Sequence, residues 1–93
     1  MPKFVSLINW TDQGAKGASD TVQRAEAAQK VAADMGGSLE VYWTMGQYDM
    51  VAILDAPDDD SAVQFMAKVS SLGNVRTSTM RAFEADDVSR LMG

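Results

Sequence analysis

The strand-like segments of this chain carry large apolar side chains at both odd and even positions. In residues 3–10, for example, Phe4 and Ile8 fall on one parity and Val5 and Leu7 on the other. Successive side chains of a β-strand point to opposite faces, so a sheet with one face in water has polar residues at every second position. These strands lack that alternation, which predicts a sheet that is covered on both faces.

The predicted elements follow one another in the order β-α-β-β-α-β, with a short helical tail. The strands are predicted at residues 3–10, 38–45, 48–56 and 75–83, the helices at 19–35 and 58–72, and the tail at 84–92. This order is that of a ferredoxin-like α+β fold, a four-stranded antiparallel sheet with both helices on one face. We expect residues 1–93 to form one such domain, with the second face packed on an identical subunit.

Local signals set the boundaries of these elements. Ser19 or Asp20 is predicted to cap the first helix through its side chain, and Gly36 to end it. Gly46 and Gln47 predict a tight hairpin turn between the two middle strands, because glycine adopts a positive φ without a Cβ clash. Residues 11–17 contain two glycines and predict a polar loop.

A run of three aspartates marks the predicted start of the second helix. Carboxylates at this position accept hydrogen bonds from free N–H groups of the first turn and complement the helix dipole. The alternative, in which Asp58, Asp59 and Asp60 coordinate a hard cation, lacks the spacing of a calcium loop. We therefore predict a capping role and no metal site. The inner face of this helix is predicted to consist of Val63, Met66, Ala67, Val69 and Ser70.

The chain contains neither histidine nor cysteine. A Ser-His-Asp or Cys-His catalytic arrangement needs an imidazole, and a tetrahedral zinc site normally needs His or Cys ligands. A haem held by a proximal His or a Cys thiolate is equally unavailable. We therefore expect no cofactor and no disulfide, which suits a reducing compartment.

Charge and hydropathy narrow the classes of partner. Eight basic and thirteen acidic residues give a net charge of −5, and the basic residues are scattered along the chain. Nucleic-acid binders concentrate Lys and Arg on one face, so we expect no nucleic-acid partner. The longest apolar run, residues 50–54, is far too short to span a bilayer, and the N-terminus lacks the apolar core of a signal peptide. We expect a cytoplasmic protein with no membrane partner.

Tyr48 and Asp49 are the sharpest candidates for a catalytic or binding role. In a functional interpretation, Asp49 acts as a base and Tyr48 donates a hydrogen bond to an oxyanion. In the alternative, Gly46 makes the turn, Asp49 pairs with loop amides and the Tyr48 ring packs with its hydroxyl at the rim. We favour the alternative, because turns need these residue types without any ligand.

Aromatic residues on the strands are the second candidate set. Trp10, Tyr42 and Trp43 can line a pocket for a flat ligand, with Asn9, Thr11 and Arg76 or Arg81 as polar anchors. The alternative, which we favour, is that strand aromatics form core or dimer contacts. Tyr42 and Trp43 are adjacent in a strand and point to opposite faces, so at most one of them lines any single pocket.

Residues 42–53 read Tyr-Trp-Thr-Met-Gly-Gln-Tyr-Asp-Met-Val-Ala-Ile and contain the pattern Gly-x-Tyr-Asp at Gly46, Tyr48 and Asp49. This pattern resembles the signature of the GYD domain family. Other segments are similar to the same family, at residues 7–14, 56–59 and 72–77, so the resemblance covers nearly the whole chain. It implies a ferredoxin-like domain that dimerises as an α/β barrel. The resemblance implies no particular activity, because the family is functionally uncharacterised.

Three hypotheses about function remain open. The first is a homodimeric, non-catalytic module that binds a small organic molecule between sheet and helices through Trp10, Tyr48, Asp49 and Arg81. The second is a cofactor-independent enzyme, similar to a monooxygenase or isomerase, in which Asp49 or Tyr48 handles a proton. The third is a structural or interaction protein with no ligand. We favour the first because binding requires less specific chemistry of the side chains than catalysis does.

Overall fold

The chain folds into four strands and four α-helices, and the computed structural model describes all 93 residues. In chain order the elements are β1 (Lys3–Trp10), α1 (Asp12–Lys16), α2 (Thr21–Asp34), β2 (Ser38–Trp43), β3 (Met50–Asp55), α3 (Asp59–Ser71), β4 (Val75–Ala82) and α4 (Ala85–Met92). The strands form one antiparallel sheet in the order β2-β3-β1-β4. Helices α2 and α3 cover the same face of this sheet. The ferredoxin-like prediction is confirmed.

The register of the strands places one set of apolar side chains under the helices. Phe4 lies opposite Leu54 on β3, and Leu54 in turn lies opposite Leu39 on β2. Leu54 is 1% exposed and packs with Ala32 of α2 and Phe65 of α3 in the main buried cluster. A second cluster forms around Ile8, Met50 and Ala52, towards the other end of the sheet.

The opposite side of the sheet, here called the open face, is also apolar. Its large apolar residues are Val5, Leu7, Tyr42, Val51, Ile53 and Met80. No helix of the chain is packed across it, and Tyr42 and Met80 remain 53% and 47% exposed. The prediction that both faces of the sheet are apolar is confirmed. One copy of the chain covers only one of them.

The hairpin between β2 and β3 is wider than predicted. Gly46 has the expected positive φ of 128°, but the strands end at Trp43 and start again at Met50. The backbone N–H of Asp49 donates to Ile8 of β1 at 2.9 Å, and its carbonyl accepts from Thr44 at 2.9 Å. Because Asp49 bonds to β1 as well as to the hairpin, residues 44–49 form a six-residue loop instead of a two-residue turn.

Residues 11–17 do not form the predicted loop, because a side chain caps a short helix there. The Thr11 hydroxyl oxygen accepts from the backbone N–H of Gly14 at 3.1 Å and starts α1. The same hydroxyl donates to the carbonyl of Gly73 at 2.6 Å. Thr11 therefore both nucleates α1 and fastens it to the start of β4.

The start of α2 also differs from the sequence prediction. Neither predicted cap is used as such, since Asp20 occupies the N-cap position without a side-chain hydrogen bond. A turn of 3₁₀ helix over Ala18–Asp20 leads directly into α2 and continues its backbone bonding. The C-terminal prediction is confirmed, because Gly36 follows the helix with a φ of 90°.

The inner face of α3 is rotated from the predicted one. Asp58 caps this helix as predicted, accepting from the backbone N–H of Ser61 at 2.7 Å. The buried residues are Ala62 and Phe65, whereas Val63 is 68% exposed. Positions 62, 65, 66 and 69 form an equally regular apolar stripe at spacings of three and four. The larger ring of Phe65 buries more apolar surface, which favours this stripe.

The predicted C-terminal helix is present as α4 and stands apart from the rest of the chain. A reciprocal capping box between Glu84 and Asp87 starts it. Its apolar residues Val88, Leu91 and Met92 are 47%, 66% and 82% exposed. None of the helices, α4 included, has both the length and the apolar character needed to cross a bilayer.

Candidate functional site

An apolar cavity of about 240 Å³ lies between the sheet and the two helices that cover it. Its floor is the helix-facing side of the strands, and its walls come from α2 and α3. The small side chains Ala25, Ala28 and Ala52 line it at positions where larger residues would fill the space. Most of the lining is apolar, so the cavity suits a molecule with an apolar body.

The cavity lies between the two helices, which pack together at Ala32 and Phe65 and carry small residues elsewhere along the cavity. The helices follow β1 and β3, which are antiparallel, so they run in opposite directions. Where they meet, Ala32 and Phe65 belong to one buried cluster. Arg24, near the start of α2, and Lys68, one turn after Phe65 on α3, also line the cavity. Lys68 borders a second pocket as well, together with Asp34 of α2. Arg24 is half-buried and Lys68 is exposed, so both lie at the rim of the cavity, here called its mouth.

The mouth of the cavity is locally positive. Arg24 and Lys68 are the only charged residues of the lining. The Arg24 guanidinium donates to the carbonyl of Gly14 at 3.2 Å. All ion pairs of the chain involve other cations, so neither side chain is neutralised by a carboxylate. This positive mouth lies in a chain whose net charge is −5.

Three of the four predicted ligand contacts lie together at one end of the sheet, beside the hairpin loop. Asp49 Oδ2 accepts a 2.9 Å hydrogen bond from the backbone N–H of Trp10, and the Tyr48 carbonyl accepts from the Thr44 hydroxyl at 2.7 Å. The Trp10 ring packs on the Ile8 cluster, and its buried indole N–H has no acceptor. None of the three residues lines the cavity.

Arg81, the fourth predicted contact, lies near the opposite end of β1. It pairs in register with Phe4, six residues from Trp10, which corresponds to about 20 Å along a strand. Its guanidinium stacks over the rings of Phe4 and Phe83, at 5.5 and 4.8 Å from their centroids. It also lies 3.8 Å from the carboxylate of Asp59. The structure therefore does not bring Arg81 together with the other three.

Tyr42 and Trp43 point to opposite faces of the sheet, as predicted. The Trp43 indole N–H donates to the hydroxyl of Thr21 at the start of α2, at 3.0 Å. The Tyr42 hydroxyl donates to the Glu40 carboxylate on the other face at 3.0 Å. This bond to a carboxylate raises the pKa of the Tyr42 phenol. Neither ring lines the cavity.

The three aspartates at the start of α3 do not form a metal site. Asp58 caps the helix, and the hydrogen bond from the Ser61 backbone N–H lowers the pKa of its carboxyl. Asp59 pairs with Arg81 on β4. No group of three acidic side chains in the chain is placed to hold a metal ion.

The residues that form the cavity were not identified from the sequence. Ala25, Ala28 and Ala32 recur at spacings of three and four on the predicted first helix. This pattern also indicates a cavity, because a face made of alanines cannot fill the space above a sheet. Arg24 and Lys68 give no such signal. They lie 44 positions apart in the chain, and only the packing of α2 and α3 over one sheet places them on facing walls of the same cavity.

Comparison with known proteins identifies the family. The GYD domain family matches residues 4–92 of the chain. The chain belongs to this family. It is 33% identical to a Thermus thermophilus protein named "Glutamine synthetase and cystathionine beta-lyase binding protein", over 98% of this chain and 99% of that one. The resemblance noted in the sequence is thereby confirmed.

Solved structures of similar fold agree with this assignment. The GYD chain superimposes on the crystal structure of a protein from Thermus thermophilus with a TM-score of 0.60 and 28% identity, covering 91% of this chain and 96% of that one. It also superimposes on a putative chlorite dismutase with a TM-score of 0.61, covering all of this chain and 49% of that one. At 15% identity, the second likeness shows the fold alone.

Proposed function

We propose that this GYD protein is a homodimeric, non-catalytic module that binds a small organic molecule in the cavity between the sheet and α2 and α3. The observation that carries the proposal is the cavity itself, with its volume of about 240 Å³ and its apolar lining. Apolar cavities smaller than this hold a benzene-sized molecule, since one of about 150 Å³ does so.

The free-energy cost of unfilled apolar space favours a bound ligand. Cavities left by core truncations cost about 24 cal/mol per Å³, so an enclosed void of about 240 Å³ corresponds to roughly 6 kcal/mol. The present cavity is open at its mouth, which makes this figure an upper bound. It is nevertheless comparable to the whole stability of a small domain, about 5–15 kcal/mol. A bound molecule would recover much of it.

The homodimer accounts for the open face. An exposed apolar sheet face is unfavourable in water, and a second copy related by two-fold symmetry presents the same apolar surface. The dimeric α/β barrel that the family resemblance implies uses this pairing of sheets. In such a dimer, the cavity of each copy lies on the far side of its sheet and stays accessible.

The enzyme hypothesis has less support than ligand binding. It required Asp49 or Tyr48 to handle a proton on a bound substrate. Asp49 Oδ2 instead accepts from a backbone amide, and neither residue lines the cavity. The purely structural hypothesis has less support for a different reason, because a filled core leaves no space of this size.

A second candidate function is binding to an enzyme through α4. The relative named as a binding protein for glutamine synthetase and cystathionine β-lyase motivates it. In this chain, Val88 and Leu91 are three positions apart on α4, and neither is buried. A helix with one free apolar face is suited to docking into a groove of another protein.

Measurement of binding to these two enzymes tests the second candidate. Purified glutamine synthetase and cystathionine β-lyase are immobilised, and the chain is titrated by biolayer interferometry. We expect Leu91→Glu to abolish binding and Ser89→Glu, on the other side of the helix, to leave it unchanged. Binding that is identical for both variants, or absent for the unmodified chain, contradicts a role for α4.

A cavity-filling variant tests the first candidate. Ala28→Leu places a larger side chain in the cavity, and Ala33→Leu makes the same change at an exposed position of α2. The protein is purified gently from its expression host and analysed by native mass spectrometry. We expect an added small mass on the unmodified chain and on Ala33→Leu, and its loss in Ala28→Leu. An added mass that survives in Ala28→Leu would place the ligand elsewhere.

A further inference from the structure

We infer that the cavity selects anionic amphiphiles: molecules with an apolar body that fills the space between sheet and helices and a carboxylate that Arg24 and Lys68 bind at the mouth. This inference rests on the proposed function, because it assigns a ligand class to the same cavity. The family resemblance and the relatives assign no such class.

Both charged residues that line the cavity are cations. Arg24 and Lys68 line it and no Asp or Glu does. Asp34 lies with Lys68 in a neighbouring pocket. Neither cation pairs with a carboxylate of the chain. Thirteen acidic residues are available in this sequence, and five ion pairs form elsewhere. Two unpaired cations at the rim of an apolar cavity are therefore a place where a bound carboxylate forms charge-assisted hydrogen bonds.

The two cations lie on facing walls of the cavity. Arg24 comes from α2 and Lys68 from α3. Arg24 is held by its hydrogen bond to the Gly14 carbonyl, which leaves other guanidinium N–H groups free to donate. Asn74 lines the same cavity, and its amide oxygen accepts from Gln13, so its amide nitrogen adds a third donor.

The volume of the cavity limits the size of the ligand's apolar body. An apolar cavity of about 150 Å³ accommodates benzene, so one of about 240 Å³ accommodates roughly ten non-hydrogen atoms. A medium-chain fatty acid or a bicyclic aromatic acid has an apolar body of this size. A nucleotide or a sugar does not fit this description, because most of its surface is polar and the cavity floor offers few partners.

Three probes with the same eight-carbon chain and different charge test the inference. Octanoate, octanol and octylammonium are titrated separately into the protein by calorimetry at low salt. We expect octanoate to bind about tenfold more tightly than octanol, and octylammonium to bind more weakly than octanol. The net charge of −5 would favour octylammonium if only the overall field acted, so the expected order reports on the mouth itself.

Variants at the mouth identify the groups responsible. Arg24→Gln and Lys68→Gln are each expected to weaken octanoate binding about tenfold while leaving octanol unchanged. Lys30→Gln is the matched control, since it removes one positive charge from α2 at a position outside the cavity. We expect Lys30→Gln to leave both affinities unchanged. Lys68 is exposed, so its variant tests the inference even if Arg24→Gln disturbs the packing of α1.

The outcomes separate this inference from the proposed function. If octanol and octanoate bind equally well and Ala28→Leu abolishes both, the cavity binds ligands but the preference for anions is wrong. If octanoate alone binds and Ala28→Leu has no effect, it binds outside the cavity, which overturns both. If none of the three probes binds, both are overturned as well.

Discussion

The carboxylate of Asp49 accepts a 2.9 Å hydrogen bond from the backbone N–H of Trp10. The last backbone pair between β1 and β3 is Ile8 with Met50. Asp49 precedes this pair and bonds to β1 twice: its backbone N–H donates to the Ile8 carbonyl, and its side chain accepts from the Trp10 N–H. Asp49 of the Gly-x-Tyr-Asp signature thus bonds the end of the central strand β1 to the hairpin loop.

We expect Asp49→Ala to destabilise the chain by about 1–3 kcal/mol, the range for a buried donor that loses its partner. Asp49→Asn keeps an oxygen at the same position, so we expect it to retain most of the stability. Urea denaturation followed by tryptophan fluorescence measures both. Equal destabilisation by the two substitutions would mean that the charge of Asp49, and not its hydrogen bond, is responsible.

The fold could be predicted from the sequence because its signals are local. Strand patterns, the positive-φ glycines at Gly36, Gly46 and Gly73, and the Asp58 cap each depend on a few neighbouring residues. The errors arose where a distant residue decides the local structure. The hairpin widened because Asp49 bonds to β1, and α1 formed at Thr11, whose hydroxyl bonds to Gly73 across the sheet end.

The cavity was beyond such local signals for the same reason. Arg24 and Lys68 lie at its mouth, and their place on facing walls follows from the packing of two helices rather than from any spacing in the chain. The alanine face of α2 was visible in the sequence. Whether Ala25 and Ala28 leave a space also depends on the size of the strand residues beneath them. These residues include Ser6 and Ala52, which are a pair in register on β1 and β3.

Gly14 of α1 allows the close approach of this helix to the start of β4. A Cβ at this position would clash with the carbonyl group of Asn74. That carbonyl is fixed, because it accepts from the backbone N–H of Thr11 at 3.0 Å. We therefore expect Gly14→Ala to destabilise the chain by about 1–3 kcal/mol, the range for overpacking.

Gly17→Ala is the matched control for this substitution. A Cβ on Gly17 would come close only to the Arg24 guanidinium, the end of a flexible side chain that can shift. We expect its thermal midpoint to stay close to that of the unmodified chain, and the midpoint of Gly14→Ala to fall. Similar midpoints for the two variants would show that α1 moves freely away from Asn74.

Asp58 makes the stability of α3 depend on pH at the acidic end. The hydrogen bond from the Ser61 N–H lowers the pKa of its carboxyl in the folded chain, so the cap stabilises the fold above the ordinary aspartate pKa of about 3.9. This contribution is lost as the pH falls through the lowered folded pKa. We expect Asp58→Ala to be less stable than the unmodified chain at pH 7, and the difference to shrink towards about pH 3.

Urea midpoints of both proteins at a series of pH values measure this effect. Asp60→Ala is the control, because Asp60 lies in the same turn and forms no capping bond. Its difference from the unmodified chain should be smaller at pH 7. A stability difference for Asp58→Ala that stays constant down to about pH 3 would contradict an ionised cap.

Met80 tests whether a second copy covers the open face. It lies on β4 opposite Val5 and is 47% exposed in one copy, so a substitution there leaves the folded monomer intact. In a two-fold dimer, Met80→Glu places two carboxylates in the interface, and burying an unpaired charge costs several kcal/mol.

We expect sedimentation equilibrium to give twice the 10.0 kDa chain mass for the unmodified protein and the chain mass for Met80→Glu. Met45→Glu, at a fully exposed position of the hairpin loop, should remain a dimer. A monomeric unmodified chain would mean that the apolar open face serves a different partner, and Met80→Glu would then be expected to weaken that association instead.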